Sequence, residues 1–197
     1  MCSVPLRMVA IHGSARPTGN SRMLLDEAVA RARELSPDIE VELVRAYSAN
    51  VDPCIACEGC NEDQVGCTVG GDGWHQIEGI LRSADILLLS SPVYFMGLPA
   101  PVKAIVDRLQ ALWWYRERGG QVATNEGPFR RAGLILVAAG DDQVFNPSRR
   151  MAVAAMNTLG FDLHAELMAG GLEEPEEAGA RPQLIEEARM LGARLVE

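Results

Sequence analysis

Two apolar runs constrain the fold more than any other feature of this sequence. Residues 85–90, Asp-Ile-Leu-Leu-Leu-Ser, and 132–138, Ala-Gly-Leu-Ile-Leu-Val-Ala, are nearly continuous in apolar side chains. They are far too short to span a bilayer. In a chain that alternates strands and helices, such runs are central parallel strands buried on both faces. The remainder does alternate. Residues 6–12 read as a short buried strand ending at Gly13. Residues 21–35 place Leu24, Leu25, Ala28, Val29, Ala32 and Leu35 at helical spacing, and Pro37 closes that helix. Residues 39–45 alternate like a half-exposed strand. Helices are expected over 73–83, with Asp72 as a cap, over 98–113, 147–160 and 182–196, and a weaker strand over 161–168. Five strands alternating with helices imply a three-layer α/β sandwich around a five-stranded parallel sheet. Right-handed crossovers leave few strand orders, of which 2-1-3-4-5 is one. The 197 residues suit one such domain over 1–197, with a cysteine-containing insertion at 52–72 after the second strand.

Composition narrows the function. The net charge is −9, which disfavours nucleic acid and anionic membrane surfaces as partners. Met1 to Ala15 has no basic stretch followed by a long apolar run, so the expected location is cytoplasmic. A phosphate-bearing ligand would need a local cationic or amide-lined site. Parallel sheets of this order bind ligands at the carboxyl ends of their strands. The segments following strands one, three and four are therefore the candidates.

After strand one, Gly13-Ser-Ala-Arg-Pro-Thr-Gly-Asn-Ser21 leads straight into a helix. Ser14, Thr18 and Ser21 supply hydroxyls, Asn20 an amide and Arg16 a guanidinium. With the helix dipole and backbone amides these form an anion site. The segment is neither a dinucleotide fingerprint nor a Walker loop. The plainer alternative is a polar turn with Asn20 as helix cap. After strand three, Ser91-Pro-Val-Tyr-Phe-Met-Gly97 offers a tight turn at Pro92 and Gly97 and flat faces at Tyr94 and Phe95. After strand four, Ala139-Gly-Asp-Asp142 has Gly140 where a backbone could approach a planar ligand.

The pattern G-S-x-R-x-x-x-N-S together with S-P-V-Y-F resembles the NAD(P)H-dependent FMN reductase family, which is flavodoxin-like. The resemblance implies FMN, its phosphate wrapped by Ser14, Arg16, Thr18, Asn20 and Ser21. It implies an isoalloxazine ring lined by Pro92, Val93, Tyr94, Phe95, Met96 and Gly97, with Ala139, Gly140 and Asp141 as a third contact. Lys103, Asp107 and Arg108 in the following helix match recurring residues of the family. The bland role for Asp107 and Arg108 is surface ion pairing.

Four of five cysteines crowd into the insertion: Cys54, Cys57, Cys60 and Cys67, spaced C-x2-C-x2-C-x6-C. Such density in a chain expected in the cytoplasm points to metal or redox chemistry. Thiolates this close converge on a soft metal centre. A four-thiolate zinc site, a redox disulfide and thiols without a metal stay open. Cys2 is not expected as a ligand, and His12, His75 and His164 are scattered. The compact cysteine pattern resembles the iron–sulfur flavoprotein branch of the same family, which implies a [4Fe–4S] cluster beside FMN. The apolar shell around the cysteines reads as thin, so a dimer or tetramer is expected to shield the centre. Trp113, Trp114 and Tyr115 are either packing residues or a wall of the flavin pocket, with 115–130 as a lid.

The expected activity is that of an FMN-dependent oxidoreductase in which the cofactor carries the chemistry and no catalytic side chain is needed. The branch implies a protein donor such as ferredoxin. The wider family implies NAD(P)H and a small acceptor. A non-catalytic electron carrier and a cysteine-based redox or metal sensor are the rival classes.

Overall fold

The computed structural model describes residues 5–61, 65–125 and 130–197. Five strands form one parallel sheet: β1 (Arg7–His12), β2 (Glu40–Arg45), β3 (Ile86–Pro92), β4 (Arg131–Val137) and β5 (Asp162–Ala169), in the order β2-β1-β3-β4-β5. Six helices flank it: α1 (Asn20–Leu35), α2 (Trp74–Ser83), α3 (Ala100–Arg108), α4 (Gln110–Glu117), α5 (Phe145–Thr158) and α6 (Pro182–Val196). This is one of the few orders that the alternation allows and the one that the resemblance implies. Cys2 lies outside the described residues, as do 62–64 of the insertion and 126–129 of the long loop.

Alternation along the strands divides the core. Val9, Ile11, Leu87, Leu89, Leu134 and Leu136 face α2 to α5, meeting Ile77, Leu81, Ile105, Leu112 and Met156. Met8, Ala10, Ile86, Leu88, Ile135 and Val137 face α1 and α6, meeting Leu24, Leu25, Ala28, Leu191 and Leu195. Each fully buried aliphatic side chain contributes roughly 1.5–3 kcal/mol. The central strands β3 and β4 are buried on both faces, which is why they read as unbroken apolar runs. Among the described residues no helix is long and apolar enough to cross a membrane.

Two expectations change. The helix expected over 98–113 breaks at Leu109 and resumes through Glu117. Tyr115 to Glu117 therefore belong to α4 and not to a loop. The stretch expected as a lid, 115–130, is tied down at Val122 to Asn125. Arg82 Nε donates to Val122 O at 2.8 Å, the Thr124 N–H donates to Arg82 O at 3.0 Å, and Asn125 Nδ2 donates to Asp85 Oδ1 at 2.5 Å. Val122 is buried. These partners precede β3, at the amino edge of the sheet, so Val122 to Asn125 pack away from the strand ends where a ligand would sit, while Arg118 donates to Asn61 O at 3.1 Å on the cysteine insertion.

Candidate functional site

Three loops meet at the carboxyl edge of the sheet. The first leaves β1 at Gly13, whose N–H donates to Ser90 O at 2.8 Å. A Cβ at Gly13 would stand 2.7 Å from Ser91 Oγ and 2.8 Å from Val102 Cγ2. Only glycine allows this loop to lie so close to the one after β3. Ser90 Oγ ties the two further by donating to Ser21 O at 2.7 Å. Ser14 Oγ accepts from the Arg16 N–H at 3.2 Å. Arg16 and Thr18 are exposed. The Arg16 guanidinium has no hydrogen-bond or ion-pair partner among the described residues, and α1 begins without an acidic residue in its first turn. The result is an open, cation-bearing mouth at a helix N-terminus.

Asn20 does something the sequence did not reveal. It is not a helix cap, because α1 starts at Asn20 itself and Gly19, at φ 141°, precedes it. Its amide clasps the segment after β5: Nδ2 donates to Glu174 O at 2.8 Å, and Oδ1 accepts from the Ala178 N–H at 2.9 Å. The acidic turn at Glu173–Glu177 is thereby held beside the loop after β1.

The second loop is a tight reversal. Tyr94 and Gly97 exchange backbone hydrogen bonds of 3.0 and 2.9 Å around Phe95 and Met96. Both of these sit at positive φ, 50° and 61°. That conformation favours glycine or asparagine and strains larger side chains, and such strain concentrates at binding sites. Phe95 is fully exposed, and Tyr94 and Met96 are about half exposed. Two bonds hold the strained turn. Val93 N–H donates to Val137 O at 2.8 Å, and the buried Ser148 of α5 donates its hydroxyl to Met96 O at 3.0 Å. Ser148 lies on a helix distant in sequence, and nothing in its local pattern singles it out. The third loop, Ala139 to Gln143, lines an open recess of about 650 Å³ with Gly170 and Gly171. Asp141 is turned back on its own chain and accepts from the Gln143 N–H.

His12 ends β1 beneath this edge. It is fully buried, and neither ring nitrogen has a hydrogen-bond partner among the described residues. Burial first, then Arg22 and Arg45, push its pKa from 6.5 down to about 4, against a smaller opposing effect of Asp26. The ring is therefore neutral at ordinary pH.

The cysteines form a second centre. Cys54, Cys57, Cys60 and Cys67 are all free thiols lining one groove of about 390 Å³. Ala56 and Glu58, on either side of Cys57, have positive φ of 52° and 59°. Reversals of this kind turn backbone N–H groups into a concavity suited to anionic centres, Fe–S sites among them. Burial raises the Cys60 thiol pKa, and Cys67, Cys54 and Cys57 raise it further, so all four groups are within electrostatic reach. Among the described residues no three Cys, His, Asp or Glu side chains close around a single ion. The apolar wall is thicker than the sequence suggested, because α4 brings Ala111 and Trp114 to the groove beside Val69 and Ile55. Trp114 thus lines the groove of the cysteines and not the recess at the carboxyl edge, while Trp113 packs edge-on against it at 4.9 Å.

Arg108 is the residue the sequence reading undervalued. It is not a surface ion pair. Its side chain is 1% exposed and pairs at 2.7 Å with Asp72, itself 3% exposed. Burial works to raise the Asp72 pKa, but hydrogen bonds from the Asp52 and Trp74 N–H groups and the Arg108 charge hold the carboxyl below the ordinary carboxylate value. Asp72 Oδ1 also meets the expected role at the start of α2 by accepting from the Trp74 N–H at 3.1 Å. The usable signal lay in the apolar stripe of α3 and α4. Val102, Ile105, Leu109 and Leu112 are buried at helical spacing, and Arg108 falls on the same face. Lys103 and Asp107, by contrast, form a partly exposed pair at 2.5 Å.

The comparisons follow this geometry. A family model described as NADPH-dependent FMN reductase matches residues 6–162. The chain is 35% identical over 107 residues to an iron-sulfur flavoprotein of Methanocaldococcus jannaschii, covering 54% of this chain and 53% of that protein. It is 32% identical over 103 residues to an iron-sulfur flavoprotein of Methanosarcina thermophila, covering 52% of each. These matches span about half the length of the curated relatives. Among solved structures, an NAD(P)H:quinone oxidoreductase from Methanothermobacter marburgensis superposes with a TM-score of 0.70 at 17% identity, covering 98% of this chain and 100% of that one. That likeness speaks to the fold. With the strand order, the three converging loops and the cysteine groove in view, the chain belongs to the NADPH-dependent FMN reductase family and within it is similar to the iron–sulfur flavoproteins.

Proposed function

We propose that this protein is an FMN-dependent oxidoreductase that also carries a [4Fe–4S] cluster. The observation that carries the reading is the pairing of two prepared sites: the edge where Gly13 presses on Ser91, and the groove that all four insertion cysteines share. In this reading Arg16, with Ser14, Thr18 and Ser21, receives the FMN phosphate at the start of α1. The strained turn Pro92–Gly97 and the loop Ala139–Asp141 flank the ring. Asn20 acts indirectly, by fixing the clasp from the segment after β5. Bound FMN supplies the exchange between one-electron and two-electron chemistry, and the cluster supplies one-electron storage.

Cys54, Cys57, Cys60 and Cys67 suit a cluster in their chemistry and in the groove they share. A single zinc ion, with Zn–S bonds of about 2.3 Å, draws four sulfurs into one tight tetrahedron. The shared groove would offer all four thiolates to a cluster, which is the reading the compact cysteine spacing supports. The donor is NAD(P)H or a ferredoxin-type protein, and the acceptor is a small molecule or a second redox protein. A homodimer or homotetramer working in the cytoplasm completes the proposal.

Aerobic and anaerobic purification with flavin, iron and acid-labile sulfide analysis is the test. About one FMN with about four iron and four sulfide per chain is expected. FMN without iron in the anaerobic preparation refutes the cluster. It leaves a plain NAD(P)H-dependent FMN or quinone reductase, a second reading favoured by the exposure of Cys54 and Cys57. Turnover of NAD(P)H with a quinone then separates that enzyme from a non-catalytic carrier.

A further inference from the structure

The cysteine insertion is a long irregular segment with little secondary structure of its own, yet its four thiols face one groove. Something outside it must hold its shape. The guanidinium of Arg108 meets both limbs at once. On the entering limb Nη1 donates to Asp52 O at 3.2 Å. On the leaving limb Nη2 donates to Val69 O at 2.7 Å, and Nη1 donates to the Asp72 carboxylate at 2.7 Å. Asp72 in turn accepts from the Asp52 N–H at 3.0 Å, so the two limbs are also laced to each other. The guanidinium lies over the buried Trp74 ring at 5.5 Å. The third nitrogen, Nε, is buried without a hydrogen-bond partner among the described residues. Arg108 also lines the cysteine groove itself.

We infer that Arg108 is the positioning residue of the cysteine centre: its planar fork gathers both limbs of the insertion into register, and its charge, balanced by Asp72, sets the electrostatic environment of whatever the thiolates hold. The inference rests on the cluster reading given above. Lysine cannot replace the fork, because a point charge has no fixed planar set of donors to span Asp52, Val69 and Asp72 together. The charge component follows from the sign of the neighbouring groups. A cation near a cluster favours its reduced, more negative form and raises its potential, and a carboxylate lowers it. As the Arg108–Asp72 pair stands, the two largely cancel. Removing either partner leaves the other uncompensated, with opposite consequences.

The full chain and the variants Arg108→Gln, Arg108→Lys and Asp72→Asn are purified anaerobically and reconstituted with ferrous iron and sulfide. Iron, sulfide and FMN per chain are measured, together with the midpoint potential of the loaded fraction. Arg108→Gln is expected to lose most of its iron, by severalfold, while FMN stays near the parent level. Arg108→Lys is expected to retain an intermediate amount. In the loaded fractions Asp72→Asn is expected above the parent potential and Arg108→Gln below it. Where Arg108→Gln holds too little cluster to titrate, the upward shift of Asp72→Asn decides. Full iron loading in Arg108→Gln, or potentials that shift in one direction in both variants, overturns the inference. So does a parallel loss of FMN and iron, which marks a general fold defect. A parent chain that takes up no iron overturns the cluster reading, and the inference falls with it.

Discussion

The carboxyl edge of the sheet and the cysteine insertion are both built on strained backbone, but they are held in different ways. At the carboxyl edge, Phe95 and Met96 adopt positive φ just beyond the end of the hydrogen-bonded strand β3. The sheet ladder runs up to Pro92 and Val137, and Ser148 pins the turn from above. At the insertion, Ala56 and Glu58 are equally left-handed. No strand leads into them, and the limbs are gathered by one buried ion pair and its backbone contacts, with Arg118 adding bonds to Cys60 O and Asn61 O. A scaffold of many small, redundant bonds tolerates the loss of one. A scaffold centred on one buried charge pair does not, because removing one partner strands the other at a cost of about 3–5 kcal/mol. The comparison teaches that similar local strain can sit on robust or on brittle support.

The sharpest break removes a single thiol. Cys57→Ala is expected to abolish stable iron binding while FMN remains, since the flavin loops arise from other elements. Loss of both cofactors in the iron and flavin assays would show the two sites to be one. The reciprocal break is Gly13→Val. Its side chain would collide with Ser91 and Val102, an overpacking worth roughly 1–3 kcal/mol. FMN binding is expected to weaken at least about tenfold by fluorescence titration, with iron content unchanged. Equal FMN affinity would remove Gly13 from the argument.

Acidification acts on the same edge through His12. Its folded pKa is depressed from 6.5 to about 4. The folded state therefore binds fewer protons than the unfolded state between these values. Stability is whole above pH 6.5 and declines as pH falls toward 4, by an order of magnitude of about 3 kcal/mol in all. Urea unfolding midpoints across this window should fall more steeply in the parent than in His12→Gln. Parallel profiles would contradict the assignment.

Arg16→Ala is expected to cost about 1.5–3 kcal/mol of FMN affinity, the worth of a hydrogen bond to a charged group. An unchanged dissociation constant would show that the guanidinium does not meet the phosphate. Smallest of all, Lys103→Ala removes a partly exposed pair with Asp107 and should change stability by only about 0.3–0.5 kcal/mol. A melting shift of several degrees would show that α3 is coupled to the groove more tightly than its surface suggests.

Much of this was legible before any coordinates. The strands announced themselves because burial on two faces leaves no polar position in 86–89 or 134–137. The loops after β1 and β3 were legible because a parallel sheet must place them on one edge, and the cysteines because thiols so closely spaced must share surroundings. Other features escaped. Asn20 read as a cap or a phosphate ligand, and its real partners, at 174 and 178, lie more than 150 residues away. The segment 115–130 read as a loop and candidate lid because glycine and polar residues do not specify where a loop will pack. Arg108 read as a surface charge because composition does not reveal that a guanidinium has carbonyl and carboxylate partners waiting inside.

The sequence by itself determined the layered α/β architecture and the segments that carry the candidate side chains. Periodicity and residue chemistry are local properties that survive without coordinates. Only the tertiary structure decided which of those side chains are free to act. It left the Arg16 guanidinium without a partner among the described residues, committed Asn20 to a clasp, buried Arg108 against Asp72 and brought Trp114 to the cysteines. Each of these depends on partners brought together by the crossovers between strands. A charged or amide group takes its role from whichever distant atoms satisfy its hydrogen bonds, and that choice is made by packing.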